Sequence, residues 1–171
     1  TITKTRLLEK IIIQKLNKKI KNKTLDSFVR SEREKNNNET YETSISGVRK
    51  IFKSLLSKNV ICLAADQVPQ AGMGEYVKFF NRDAYTTTLA SSLAYKTGKP
   101  VIYCSMNSDN NNNLFISIKP CHESIYNDSK RLLSMNNSIE NLININPKDY
   151  SWEYKRFKRA QQKNINPYLK A

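Results

Sequence analysis

The sequence predicts an α/β fold in which a mostly parallel sheet is flanked by helices, and three observations support this prediction. Strand-like and helix-like segments alternate through the middle of the chain, which favours helices on both faces of a sheet. Residues 60–65 form a continuous apolar run bounded by polar residues, which is typical of a strand covered on both faces. The length of 171 residues suits a single domain, spanning residues 1–171, with a sizeable core.

The first segment of the chain, residues 4–23, alternates basic and apolar residues. Its apolar residues are spaced by four, at Leu8, Ile12, Leu16 and Ile20. This spacing permits an amphipathic basic helix, although residues 11–13 also permit a strand. Such a helix would either pack on a core or lie against anionic lipid headgroups. Residues 35–43 have neither a period nor apolar content, and they are predicted to form a loop.

Capped helices are predicted on both sides of the apolar run. Ser44 or Ser46 can cap the first helix, because a side-chain oxygen there accepts a hydrogen bond from a free backbone amide. The threonines at 86–88 can cap the second helix, which stops at Gly98 before Pro100. The residues predicted to face inward are Ile45, Val48, Ile51, Phe52, Leu55 and Leu56 in the first helix and Leu89, Leu93 and Ala94 in the second.

The remaining elements are predicted to be a short extended piece at 76–80, a hairpin and two further helices. Strands at 101–105 and 114–118 flank an Asn-rich tract that is predicted to be the hairpin loop. Asp128 or Ser129 can open a helix. Pro147 can start the last helix, which carries Trp152 as a core residue or, alternatively, as an interfacial anchor. The inward residues of the helix before it are Leu132, Leu133, Ile139, Leu142 and Ile143. Residues 159–171 are predicted to be a basic, frayed tail.

The chain is strongly basic, with 29 Lys and Arg against 15 Asp and Glu and a formal net charge of +14. This charge favours polyanionic partners, which include nucleic acid, anionic lipid and an acidic carrier protein. A composition rich in Lys, Asn and Ile accounts for part of the excess. No apolar run is long enough to span a bilayer, and the first residues do not form a secretory signal.

The cysteines Cys62, Cys104 and Cys121 have neither a disulfide framework nor a zinc spacing, which predicts a reducing compartment. Cys62 and Cys104 lie in apolar runs and are expected to be buried. No Walker loop, nucleophile elbow or HExxH motif is present, so neither a metal nor a cofactor is predicted.

Asp66 and Gln67 follow the apolar run and are the first candidate binding residues. The end of a strand is the edge at which open α/β sheets bind their ligands, although a structural loop anchor is the alternative. Among the preceding arginines, Arg33 is the preferred ligand contact, because a guanidinium binds phosphate or carboxylate at two points. For Arg30, Arg33 and Arg49 alike, a surface ion pair with a nearby glutamate is the alternative role.

The single histidine, His122, is predicted to be non-catalytic. A general base needs an orienting carboxylate within hydrogen-bonding reach, and Asp128 is six residues further along the chain. No catalytic residue is therefore predicted in this chain.

Several collinear segments together resemble one family. They are Asp66-Gln67, Phe79-Phe80 with the threonines at 86–88, residues 47–56, residues 93–98, and residues 150–158 with Trp152, Arg156 and Lys158. Over about residues 21–158 the chain is similar to the carboxy-terminal portion of the lipid A biosynthesis (lauroyl/myristoyl) acyltransferases. The departures from the family pattern are Tyr154, Lys78 and Tyr103.

The resemblance implies a glycerolipid-acyltransferase-like fold that is incomplete at the N-terminus. It also implies that this chain, which starts at Thr1, is a fragment of a longer protein. It implies fatty acyl transfer from an acyl carrier protein thioester to a hydroxyl of a lipid A precursor. The expected location is the cytoplasmic face of the inner membrane, on an anionic membrane surface. The His-x4-Asp/Glu base of the family is absent, so the chain alone is expected to be inactive.

By the same resemblance, Asp66 and Gln67 would form the floor of the acceptor and acyl site. Arg33 would contact phosphate or sugar, and Thr87, Arg156 and Lys158 would support these residues. A basic nucleic-acid-binding module is the alternative function, although no specific nucleic acid is expected as a partner.

Overall fold

A computed structural model describes residues 13–17, 21–36, 38–161 and 166–168 of the chain. The chain divides into two compact units, Thr1–Leu63 and Ala64–Ala171. The single domain over residues 1–171 stays a prediction.

The first unit contains a parallel three-stranded sheet with two helices in its connections. Strand β1 (Ile13–Asn17) pairs in parallel with β2 (Glu39–Glu42) on one side and with β3 (Val60–Cys62) on the other. Helix α1 (Lys23–Arg33) leads to β2, and helix α2 (Ile45–Leu56) leads to β3. The helix prediction at the start of the chain is wrong at β1, and the alternative strand, predicted at residues 11–13, overlaps β1 only at Ile13. Residues 4–12 and 18–20 of that predicted helix lie outside the described residues, and residues 21–22 precede helix α1.

Both helices of the first unit begin at a side-chain cap. Asn22 Oδ1 accepts from Leu25 N at 3.1 Å, and Ser44 Oγ accepts from Gly47 N at 3.1 Å. The predicted cap at Ser44 is confirmed. The predicted inward face of α2 is confirmed at Ile51, which is fully buried, but it is wrong at Ile45, which is 77% exposed. Ile45 is the first residue of the helix.

Strand β3 is shorter and more exposed than the apolar run predicts. Only residues 60–62 join the ladder, and Val60 and Cys62 are both exposed. The prediction of a strand covered on both faces is therefore wrong, because Val60 and Cys62, which are two residues apart and share a face, are exposed.

The second unit is built on two antiparallel hairpins and two helices. Strands β4 (Gly74–Phe79) and β5 (Arg82–Thr87) form the first hairpin, and β6 (Ile102–Ser108) and β7 (Leu114–Pro120) form the second. The second hairpin and its Asn-rich loop are confirmed predictions. Helix α3 (Leu89–Thr97) follows β5, and helix α4 (Arg131–Ile143) follows a 3₁₀ turn at Glu123–Tyr126. The core includes Phe79, Ala84, Ala94, Ile125, Leu132, Met135, Ile139 and Ile143.

The described strands thus pair twice in parallel, in the first unit, and twice antiparallel, in the second. A mostly parallel sheet, incomplete at the N-terminus, stays a prediction for the fold class.

Two of the predicted helix starts in the second unit are wrong in detail. Thr86 and Thr87 belong to strand β5, and Thr88 precedes α3 without a side-chain hydrogen bond. Helix α4 starts after Lys130, because the Asp128 carboxylate pairs with Arg131 at 2.8 Å instead of capping backbone amides. The predicted stop of α3 is confirmed, since Gly98 closes that helix with a φ of 60°.

One face of the second hairpin presents aliphatic side chains to solvent. Met106 is opposite Ile116 in the register, and Cys104 is opposite Ile118, so these four residues share a face. Met106 and Ile116 are each 63% exposed, and Cys104 is also exposed. The predicted burial of Cys104 is therefore wrong, because the described residues leave this face of the hairpin uncovered.

The segment after α4 is not the predicted Trp152 helix. A 3₁₀ turn spans Pro147–Asp149, and a series of tight turns follows to residue 159. Trp152 is 56% exposed, so its predicted place in the core is wrong. The indole Nε1–H donates to Pro147 O at 2.7 Å, which holds the ring at the surface. The predicted tail at 159–171 lies partly outside the described residues.

Within the described ranges, no helix is both long and apolar enough to cross a membrane. In the same part of the chain, no three His, Cys, Asp or Glu side chains come together as a group that could hold a metal ion.

Candidate functional site

The predicted site residues are divided between the two units. Arg33 is the last residue of α1 in the first unit, and its side chain is exposed. Its neighbour Arg30 forms a surface ion pair with Glu34 at 3.0 Å, as the alternative role predicted. The other predicted binding residues all belong to the second unit: Asp66, Gln67, Thr87, Arg156 and Lys158.

Asp66 and Gln67 begin a loop that runs to the start of β4, and three hydrogen bonds fix this loop. The Tyr154 hydroxyl accepts from Val68 N at 2.8 Å. The Tyr85 hydroxyl accepts from Gly72 N at 2.9 Å and from Gly74 N at 3.1 Å. Loop backbone is usually the least constrained part of a fold. In this loop, by contrast, the three bonds constrain the backbone that follows Asp66 and Gln67.

The end of this loop packs directly on β5. A Cβ added at Gly74 would lie 2.5 Å from Thr86 O and 2.7 Å from Pro69 Cγ. Only glycine permits so close an approach of two backbones. The loop is therefore pressed against the strand that carries Tyr85 and Thr87.

Arg156 is buried and is hydrogen-bonded to β5. The residue is only 3% exposed. Its Nη1 donates to Tyr85 O at 2.9 Å, and its Nη2 donates to Thr86 Oγ1 at 2.7 Å. The guanidinium also lies 5.0 Å from the centre of the Phe79 ring. Burial lowers the pKa of Arg156 from its ordinary value.

Thr86 connects the arginine to helix α4. Its hydroxyl donates to Ala84 O at 3.0 Å and accepts from Arg156 and from Asn136 Nδ2, the latter at 3.2 Å. Asn136 is fully buried and also donates to Lys78 O at 2.8 Å. A hydroxyl has one hydrogen and two lone pairs, so every hydrogen-bonding position of Thr86 is used.

Tyr150 lies in electrostatic range of both Asp66 and Arg156. Burial, followed by the negative charge of Asp66, raises the pKa of Tyr150 to about 12, and Arg156 opposes this shift. The phenol is therefore neutral at physiological pH. Asp66, Tyr150 and Arg156 thus form one electrostatically coupled group, although Asp66 is only half-buried.

Three polar atoms around this group are buried without a hydrogen-bonding partner among the described residues. They are Tyr150 Oη, Arg156 Nε and Asn136 Oδ1. Two of them carry donor hydrogens and the third is an acceptor. Buried polar atoms are normally paired, so these three are exceptions within the described residues.

The other predicted site residues border this region less tightly. Thr87 is half-buried, and its hydroxyl accepts a long bond of 3.4 Å from Leu89 N. Lys158 is exposed, and its ammonium lies 4.8 Å from the centre of the Tyr154 ring. Gln67 is exposed beside Asp66. The predicted substrate-binding role of these residues stays a prediction.

Sequence reasoning did not identify Tyr85, Asn136 or Tyr150 as site residues. It placed Thr86 only in a helix cap and a family-like segment, and it noted Tyr154 only as a departure from the family pattern. Each of these residues acts through a partner distant in the chain, such as the bond from Val68 N to Tyr154, 86 positions apart. Local periodicity carries no signal for such pairs. The Tyr-rich segment 150–154 was the one available hint.

His122 has a local structural role. Its Nδ1 accepts from Ser124 N at 3.2 Å, and this bond caps the 3₁₀ turn that follows. The same nitrogen contacts the Ser124 hydroxyl. Asp128 is paired with Arg131 rather than with this imidazole.

Comparison with known proteins bears on this geometry. A family model described as bacterial lipid A biosynthesis acyltransferase matches residues 12–159, which include every residue of the site described above. A search of curated proteins found no match to the chain. Because the family model covers most of the sequence, the chain belongs to the bacterial lipid A biosynthesis acyltransferase family.

Proposed function

We propose that this chain contributes the substrate-binding part of an enzyme that transfers a fatty acyl group from an acyl carrier protein thioester to a hydroxyl of a lipid A precursor. The family supports acyl transfer in lipid A biosynthesis. The observation that carries the proposal is the group of Asp66, Tyr150 and Arg156, with two unused buried donors. Such a group suits a ligand rich in sugar and phosphate oxygens.

The proposed reaction is an ordinary acyl transfer. The acceptor hydroxyl oxygen attacks the thioester carbonyl carbon, the carbon–sulfur bond breaks, and the thiol leaves with a proton. A general base must take the hydroxyl proton as the new ester bond forms. His122 contacts Ser124 instead of a carboxylate, and the sequence contains no His-x4-Asp/Glu pair. We therefore infer that the base is supplied by residues outside these 171.

The proposed roles of the site residues follow from their surroundings. Asp66 and Gln67 would accept and donate hydrogen bonds to the acceptor sugar, because they lie on an ordered loop and are at least partly exposed. Arg33 and Lys158 are exposed cations suited to phosphate. Thr87 and Arg156 would act as supports, since the Arg156 guanidinium already donates to two protein oxygens.

We also propose that the chain works against an anionic membrane surface, at the cytoplasmic face of the inner membrane. The net charge of +14 favours anionic headgroups. The exposed aliphatic face of the β6–β7 hairpin offers apolar area that lipid would cover. Sedimentation with vesicles of anionic and of zwitterionic phospholipid tests this proposal, and equal binding to both would contradict it.

The test of the function combines binding and turnover. The chain is expected to bind a phosphorylated, acylated glucosamine disaccharide, with the affinity reduced at least tenfold by Asp66→Asn, which removes the charge but preserves the shape. With acyl carrier thioester added, we expect no ester product above the rate without protein. Product formed at many turnovers per chain would place a base within these residues and overturn the inferred division of labour.

A basic nucleic-acid-binding module is the second candidate, favoured by the net charge of +14. It predicts DNA or RNA binding that weakens steeply as salt rises. A filter-binding titration at two salt concentrations, with anionic vesicles as competitor, separates the two candidates. Nucleic-acid binding that vesicles do not compete would favour the module.

A further inference from the structure

We propose that the hydroxyls of Tyr85 and Tyr154 form a two-point clamp that positions the loop carrying Asp66 and Gln67 for the lipid acceptor. The name tyrosine clamp is used for these two side chains and their three bonds to the loop. The inference deepens the proposed function and rests on it. Tyr85 and Tyr154 would act as positioning residues, because their hydroxyls contact the loop backbone.

The first point of the clamp lies just after the candidate binding pair. The Tyr154 hydroxyl accepts from Val68 N at 2.8 Å, which is a normal, well-formed hydrogen bond. Fixing the amide of Val68 restricts the backbone on either side of Gln67. A loop residue held in this way loses conformational freedom before ligand binds, so less ordering entropy opposes binding.

The second point of the clamp closes the far end of the loop. The Tyr85 hydroxyl accepts from Gly72 N at 2.9 Å and from Gly74 N at 3.1 Å. Both lone pairs of the phenol oxygen are therefore used by the loop. Gly72 has a φ of 80°, a conformation that glycine adopts without steric cost, so the turn fits the two bonds.

Arg156 links the two points of the clamp. Its Nη1 donates to the backbone oxygen of Tyr85 at 2.9 Å, and its backbone N donates to Tyr154 O at 2.6 Å. The strand that carries one tyrosine and the C-terminal segment that carries the other are thus joined by one buried residue. The two contacts of the clamp are therefore connected through Arg156.

Cations lie over both clamp rings. Lys158 Nζ is 4.8 Å from the Tyr154 ring centre, and the Arg159 guanidinium is 5.6 Å from the Tyr85 ring centre. Phenylalanine retains the ring and the cation contact and removes only the hydroxyl. Tyr154→Phe and Tyr85→Phe therefore isolate the contribution of the hydrogen bonds to the loop.

The experiment measures amide hydrogen exchange by NMR in the whole chain and binding of a phosphorylated, acylated glucosamine disaccharide. Tyr154→Phe is expected to accelerate exchange at Val68 by about 3- to 10-fold, as expected for one hydrogen bond. Tyr85→Phe is expected to accelerate exchange at Gly72 and Gly74 instead. Each variant is expected to bind the glycolipid about 3- to 10-fold more weakly, by the same reasoning.

Tyr126→Phe is the matched control. The Tyr126 hydroxyl donates to Lys99 O at 3.0 Å, so this variant also loses one tyrosine hydrogen bond, but outside the loop. Its exchange at Val68, Gly72 and Gly74 and its glycolipid affinity are expected to equal those of the parent chain. A Tm shift shared by all three variants would report the lost hydrogen bonds in general.

The outcomes separate the clamp from the function on which it rests. Unchanged exchange at Val68 in Tyr154→Phe would overturn the clamp itself. Faster exchange with unchanged glycolipid affinity would overturn its positioning role. A parent chain that binds no glycolipid would overturn the proposed function, and the exchange data would still decide whether the hydroxyls hold the loop.

Discussion

The carboxylate of Glu140 on helix α4 accepts from the backbone N–H of Phe80 at 2.8 Å, at the tip of the β4–β5 hairpin. Phe80 has a φ of 46° and Asn81 has a φ of 59°, so both central residues of the turn are left-handed. Such turns match the twist of a hairpin, but a bulky residue in this region is strained. The ring of Phe80 also contacts that of Trp152, so two tertiary contacts help to retain this strained residue.

Removal of the Glu140 carboxylate is expected to destabilise the hairpin tip. Glu140→Ala leaves the Phe80 amide without its acceptor, at an expected cost of about 1–2 kcal/mol in the free energy of unfolding. Urea unfolding followed by the fluorescence of Trp152 measures this, because that indole contacts Phe80. Glu153→Ala, at an exposed carboxylate, is the control and should change stability by less than about 0.5 kcal/mol. Equal effects of the two substitutions would contradict the role of Glu140.

Arg156 is expected to be replaceable only with a large loss of stability. Arg156→Ala removes the side-chain donor to Tyr85 O and one of the two donors to Thr86 Oγ1, and we expect a loss of about 3 kcal/mol. Arg156→Lys retains the charge but lacks the planar fork, so it should recover at most half of this loss. Thermal unfolding of both variants, with Arg159→Ala as the exposed control, measures the effect. A lysine variant as stable as the parent chain would show that the two-point geometry is unimportant.

Stability is expected to fall at alkaline pH in part through Tyr150. Its pKa is raised from about 10 when unfolded to about 12 in the folded chain, chiefly by burial. A raised pKa means that the folded state holds the proton more tightly than the unfolded state. The resulting contribution of Tyr150 to the free energy of unfolding is complete below pH 10 and is lost as pH rises through 12. Urea midpoints between pH 9 and 12 should therefore fall less steeply in Tyr150→Phe than in the parent chain. Parallel curves for the two proteins would contradict the shift.

Gly74 is expected to tolerate no side chain. The methyl group of Gly74→Ala would lie 2.5 Å from Thr86 O. This oxygen belongs to the backbone of β5, so it cannot move away without distorting the strand. We expect a loss of about 2–3 kcal/mol, at the upper end of the cost of overpacking. Gly98→Ala is the control, because its Cβ would meet nothing within 4 Å and would add only the cost of a left-handed backbone. A smaller loss at position 74 than at position 98 would contradict the close approach.

Local chemistry explains why several elements could be predicted and others could not. Ser44 and Gly98 act within one turn of their helices, so the sequence around them was sufficient. Thr86 was mistaken for part of a helix cap because a threonine suits a cap and a strand equally well. Its place in β5 depends on pairing with Glu75 and on bonds from Arg156 and Asn136, none of which is near in sequence.

The candidate site follows the same division. Asp66 and Gln67 were identified because an acidic and an amide residue follow an apolar run, and Arg156 because it belongs to a family-like segment. Their surroundings were not predictable, since Tyr154 is 86 residues from the amide that it binds. The Trp152 helix failed because the turns after Pro147 satisfy their backbone groups locally, and helical spacing alone cannot exclude that outcome.

The amino-acid sequence was sufficient to identify the family of this protein, its basic charge, the Ser44 helix cap and the Gly98 helix stop. These properties depend on composition, on motif order and on interactions within a few residues. Only the tertiary structure decided that two tyrosine hydroxyls hold the Asp66 loop and that Arg156 is buried between their backbones. Those contacts join residues far apart in the chain, and their energy exists only when the intervening chain has folded.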